Sequence, residues 1–196
     1  MGFIKGLLML LGAIFVAMLI YMGVNFGGMA SKAASLDPQA MKLYMNMFDT
    51  VLKTGNAADG MVRLRKVNPD VTNEDIKDII ESVSSDGNMQ LVGDVTMFDG
   101  TPLQAGGPKT KYTRIFSICS RPIASKFLNY SMAYGAFMPC RIMLREDDKG
   151  DRWLITMDMG LMIHGGKTLP PDMLKMAQGV RDTIYAAQDK AASGDF

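Results

Sequence analysis

The chain's most reactive side chains are few: two cysteines and one histidine. Cys119 and Cys140 flank a predicted helix, Cys119 closing one predicted strand and Cys140 opening the next. They can be inert core thiols, a disulfide, or a redox or metal-binding pair. Free cysteine is among the most buried residue types, which favours the first reading. A disulfide needs Cα atoms about 4.4–6.8 Å apart, a distance that sequence spacing does not specify; an extracytoplasmic address would raise its share. The segment Met157-Asp158-Met159-Gly160-Leu161-Met162-Ile163-His164 carries the sharpest chemical hint. Soft thioether and imidazole ligands suit Cu(I). In an extended segment Met157 and Met159 share one face, and Met162 and His164 share one face. Copper or haem held by Cys119, Cys140, Met159, Met162 and His164 is therefore one candidate chemistry. Against it, the chain has 19 methionines. They are as dense in the helix predicted over 38–53, which has no ligand set, and methionine commonly fills irregular core gaps.

Other chemistries fit less well. Gly165-Gly166-Lys167-Thr168 ahead of a helix resembles the end of a phosphate loop, but G-x-x-x-x-G-K-[ST] requires four residues between the glycines. Five lie between Gly160 and Gly166, and Pro170 and Pro171 remove backbone donors there. Lys109, Lys111 and Arg114 cluster beside Tyr112 and are read as a solvated sheet edge protected by charge, with lipid headgroups the less favoured target. No nucleophile elbow, dinucleotide fingerprint or carboxylate pair stands out. Asp147-Asp148 sits in a predicted turn, where aspartate serves the backbone. No catalytic residue is assigned.

The elements that must position these residues follow from periodicity. Asp37-Pro38 is read as a helix start, with Met41, Tyr44, Met45, Phe48, Val51 and Leu52 on the helical period. Residues 60–67 read as a strand. Thr72 with Asp75 forms a capping box for a helix whose inward face is Ile76, Ile79, Ile80 and Val83. Strands follow at 89–98 and 111–119. Ser120 and Pro122 open a helix carrying Ile123, Phe127 and Leu128. Strands at 140–146 and 152–158 flank the hairpin turn Asp147–Gly150, with Trp153, Ile155 and Met157 on one face. Pro170-Pro171 opens the last helix, with Met173, Ala177, Val180, Ile184 and Ala187 buried. The tail 191–196 is expected to fray. The order β-α-β-β-α-β-β-α predicts an α+β fold with helices on a mainly antiparallel sheet.

Ahead of this domain no charged residue occurs between Lys5 and Lys32, and residues 6–28 predict a transmembrane helix. A cleaved signal peptide has a shorter apolar core, about 7–15 residues, and a small-x-small site. No clean site of that kind follows here, so an uncleaved anchor that keeps residue 1 or 2 is expected. The chain thus divides into an anchor (1–30), a membrane-proximal helix (31–57) and a soluble domain (58–196). Only Lys5 is charged before residue 30, so the rest carries 20 basic and 20 acidic residues. That balance lacks the basic excess that nucleic-acid binding wants. The short N-terminal tail favours N-inside, domain-outside, which in a Gram-negative cell means an inner-membrane anchor and a periplasmic domain. Gly23 and Gly27, like Ala13 and Ala17, have the small-x-x-x-small spacing through which membrane helices pack.

The second half resembles a known family. A strand ending Ile115-Phe116-Ser117-Ile118-Cys119, a helix containing Ala124, the run Met138-Pro139-Cys140-Arg141-Ile142, an acidic turn with Gly150 and an Ala-rich closing helix are similar to the family called domain of unknown function 302. The likeness covers about 58–192. It implies a small α+β domain and members that form dimers, and it implies no chemistry. The apolar N-terminal helix, the helix at 38–53 and the Met-rich loop after Met157 depart from it. The expected function is a non-catalytic, membrane-anchored accessory or binding subunit without a cofactor. Its expected partners are the lipid bilayer and a membrane protein complex or homo-oligomer. The alternative is an extracytoplasmic redox or copper- or haem-handling protein.

Overall fold

A computed structural model describes residues 2–195; the expected segment limits at 1 and 196 lie outside them. The chain opens with helix α1 (Gly2–Ala33), then α2 (Ala40–Thr54) and a 3-10 turn at Ala57–Gly60. The domain proper runs β1 (Val62–Lys66), α3 (Asn73–Asp86), β2 (Gln90–Phe98), β3 (Thr113–Cys119), α4 (Arg121–Tyr130), β4 (Cys140–Glu146), β5 (Arg152–Met157), α5 (Gly160–His164) and α6 (Pro171–Ser193). The expected α+β order is present, with one short helix, α5, added. The five strands form an open, wholly antiparallel sheet in the order β1-β5-β4-β3-β2.

Strand alternation sends every second side chain to one face, and α3 and α6 cover only that face. Phe116, Ile118, Ile142, Leu144 and Leu154 are buried there against Ile76, Ile79 and Ile80 of α3 and Ala177, Ile184 and Ala187 of α6. The capping box at α3 forms in both directions: Asp75 N–H donates to Thr72 Oγ1, and Thr72 N–H donates to Asp75 Oδ2. Gln188 is wholly buried in α6 because the sheet needs its amide. Its Nε2 donates to the carbonyls of Arg63 (2.9 Å) and Leu154 (2.8 Å), and its Oε1 accepts from Arg63 Nη1.

Several expectations need correction. The end of α6 does not fray: Ala191 and Ala192 are buried, and Asn68 N–H donates to the Ala192 carbonyl at 2.8 Å. Small side chains let this turn sit tightly on the domain, and in sequence they look like a weakly apolar tail; Phe196 lies outside the described residues. Arg114 is not part of a solvated edge. It lies 8 % exposed on β3, an inner strand, where it grips Asp94 with two hydrogen bonds (2.7 and 2.8 Å) and Glu74 with one (2.7 Å). Asp37 does not cap α2 directly. The helix starts at Ala40, and Asp37 Oδ1 instead accepts from Gln39 N–H at 3.0 Å in the turn before it. Residues 160–164 are a helical turn, not an extended run.

Candidate functional site

Among the described residues, no α-helix covers the other face of the sheet. The strand register lines up Leu64, Ile155, Met143, Ile115 and Val95, one from each strand in spatial order. All five are apolar, and Leu64 and Val95, on the two edge strands, are 45 % and 57 % exposed. One step along the strands lie Lys66, Trp153, Arg145, Thr113 and Phe98, and one step the other way Arg141 stands beside Ser117. Arg145 is steadied by a 2.7 Å bond from Nη1 to Thr113 Oγ1. An apolar band flanked by arginines thus crosses the whole sheet.

At one end of the band, Pro139 and the 3-10 segment Met132–Phe137 make a wall. Phe137, Cys140, Met143, Ile155, Met157 and Met159 line a hollow of about 230 Å³ there. Phe137 and Met157 also line a larger hollow, about 480 Å³, closed by Tyr44 of α2, Tyr134 and Met162. A third, polar hollow holds His164, Tyr185 and three arginines. Each of these cations has a carboxylate partner: Arg63 and Arg65 share Asp189, and Arg181 meets Asp182.

The five residues with metal-ligand chemistry are divided among these hollows. Cys140 and Met159 border one, Met162 the second, and His164 the third. Cys119 lines a fourth recess beside Ser85 and Gln90. The helical turn of α5 replaces the extended geometry that would pair Met162 with His164. Both thiols are free. Burial, and then the nearby Cys119, push the Cys140 thiol up to about 11, which keeps the free thiol protonated and a poor nucleophile at neutral pH. Among the described residues, no group of three or more His, Cys, Asp and Glu side chains could hold a metal ion.

His164 is set against Asp37, just ahead of α2. It is buried, with Nδ1 3.2 Å from Asp37 Oδ2 but without the alignment of a hydrogen bond. The Gln39 N–H, with help from His164 and Thr168, holds the Asp37 carboxyl below the ordinary carboxylate range against the opposing effect of burial. Around this pair, Asp37 N–H donates to the Gly166 carbonyl (2.8 Å) and Tyr44 Oη donates to the Gly165 carbonyl (2.9 Å). The Gly-Gly-Lys-Thr run is therefore a backbone clasp for the start of α2. A Cβ at Gly165 would stand 2.3 Å from the Leu161 carbonyl oxygen, so glycine is required at this turn. At Gly23 and Gly27 of α1 a Cβ would meet nothing within 4 Å.

Residues 59–191 match the family described as "Domain of unknown function DUF302". The chain belongs to this family. The match begins at the 3-10 turn before β1 and ends in the last turns of α6, so α1 and α2 stand outside it. No curated protein matches the chain. A solved structure titled "Crystal structure of uncharacterized conserved protein DUF302 from Bacillus stearothermophilus" is similar at a TM-score of 0.51 and 14 % identity, covering 66 % of this chain and 97 % of that one. At that identity the likeness shows the DUF302 fold alone.

The apolar band is the feature that reading the sequence for reactive groups passes over. Its signal is present: Ile115-Phe116-Ser117-Ile118 and Met143-Leu144 put apolar residues on both alternations of inner strands. A strand apolar on both sides is the mark of a sheet covered on both faces.

Proposed function

We propose that this DUF302 chain is a non-catalytic, membrane-anchored binding or accessory subunit. In this reading α1 spans the inner membrane with its N-terminus inside, and the domain stands in the periplasm. α1 is long and apolar enough to cross a bilayer, with no buried face in the described chain. The observation that carries the binding role is the uncovered five-residue band of Leu64, Ile155, Met143, Ile115 and Val95. Apolar rows shared by all strands of a sheet usually receive another layer. Arg141 and Arg145 suit a protein partner of the same membrane whose own apolar patch is rimmed by acidic side chains.

A photocrosslinking residue at Met143, tested in native membranes, should give a discrete protein adduct that is missing when the probe is moved to Lys149. Equal, diffuse labelling at both positions would refute the role. Gly23 and Gly27 would add a contact within the membrane, since small residues let helix backbones approach closely. Gly23→Leu with Gly27→Leu should leave insertion normal and weaken the adduct, whereas Ala13→Leu with Ala17→Leu should not.

Copper or haem handling is the second reading, favoured by Cys140 and Met159 lining one hollow. Metal analysis and an absorption spectrum of detergent-purified protein test it; bound copper or haem near one equivalent would displace the first reading.

A further inference from the structure

α2 has one broad apolar arc, of which the domain covers only part. At 3.6 residues per turn, Leu43, Met47 and Val51 fall on one side, where α2 packs against the turn at Ala57–Gly60 and against α5. Met41, Met45, Phe48 and Leu52 fall within about 60° of one another on the other side. These four are 60 %, 58 %, 55 % and 69 % exposed, so the domain does not cover them. Lys42, Asp49 and Lys53 form a polar ridge along one border of the exposed stripe. An apolar arc that extends well past the part a domain covers marks a contact surface.

The connection to α1 identifies what meets that surface. Ala33 ends α1, and Asp37, only four residues on, is already clasped by the Gly166 carbonyl and set against His164. Four residues reach at most about 14 Å. If α1 spans the bilayer, the start of α2 is thereby held at the membrane surface. The first turns of its stripe, Met41 and Met45, are then within reach of lipid. The stripe also has the chemistry of that depth: unbranched methionines, one leucine and one phenylalanine, with lysines beside them to reach the headgroups.

We propose that α2 lies in the boundary between headgroups and acyl chains, with Met41, Met45, Phe48 and Leu52 pressed into lipid. The inference rests on the anchor reading of α1. It makes α2 a second membrane attachment, one that holds the DUF302 domain at a set tilt instead of letting it swing on a tether. Membrane contact on one side leaves the apolar band of the sheet as a separate surface for protein.

The test uses the full chain in its native membrane, with a benzophenone amino acid placed singly at Ile14, Met45, Phe48 or Lys149. After irradiation, lipid adducts are measured by mass. Lipid adducts at 14, 45 and 48, each at least tenfold above position 149, are the expected result. Adducts at 14 with none at 45 and 48 overturn the inference and leave the anchor standing. Protein adducts in place of lipid at 45 and 48 overturn it as well and place a protein on the stripe. Absence of lipid adducts at 14 overturns the anchor reading and the inference with it.

Discussion

The two faces of the sheet are built from the same strands and the same kinds of side chain, yet they have opposite surroundings. On one, Phe116, Ile118, Ile142, Leu144 and Leu154 are closed off by α3 and α6. On the other, Ile115, Met143 and Ile155 remain partly open, with Leu64 and Val95 more exposed still. The difference is one of supply. The chain has two long amphipathic helices after β1, and both dock on the same side; α2 packs at the edge of the domain against α5. The covered face therefore accounts for stability, and the open face is available for contact. Hydrophobicity alone does not separate these roles; coverage does.

This contrast is breakable in graded steps. The largest effect is expected from Ile80→Asp. Ile80 is wholly buried on the covered side, and an unpaired charge there should cost about 5 kcal/mol or more, comparable with the roughly 5–15 kcal/mol that holds a domain folded. Loss of the cooperative melting transition checks it, and an unchanged transition would show that this face is not the core.

Arg114→Ala should come next, at about 2–3 kcal/mol, because it leaves the half-buried Asp94 without its partner. The Arg114 guanidinium is the chief cause holding the Asp94 carboxyl below its ordinary 3.8. A depressed carboxylate contributes stability that is complete above about pH 3.8 and is lost as pH falls through the lower folded value. Acid titration of melting temperature should therefore fall less steeply below that pH in Arg114→Ala than in the parent. Parallel acid limbs would remove Asp94 and Arg114 from the account.

Ala191→Leu probes the edge of the covered face. A frayed tail would accept leucine without cost. A docked turn with no space at position 191 should lose about 1–3 kcal/mol by overpacking, seen as a lower melting temperature.

The smallest effect on stability, within about 1 kcal/mol, is expected from Met143→Ser on the open face. The same change should reduce partner crosslinking from a probe at Ile155 severalfold. A large drop in melting temperature instead would mean that the open face contributes to the core.

Local patterns in the sequence carried much of this architecture. The capping box at Thr72, the period of Ile76, Ile79 and Ile80, the turn Asp147–Gly150 and the long uncharged run before Lys32 each depend on neighbours a few residues apart, and each is legible without the fold. The strand order, the side on which the helices dock and the environment of single residues depend on contacts between distant segments. Arg114 looks like a surface charge until Asp94 and Glu74 arrive from β2 and α3. His164 stands alone in the sequence until the fold brings Asp37 against it from 127 positions earlier in the chain. Met159 and Met162 look like a pair until the turn into α5 sets them on two adjoining hollows, with Met157 on the wall of both. Sequence periodicity reports that a residue will be apolar or polar on one side of its own element; only tertiary packing decides what, if anything, lies opposite it.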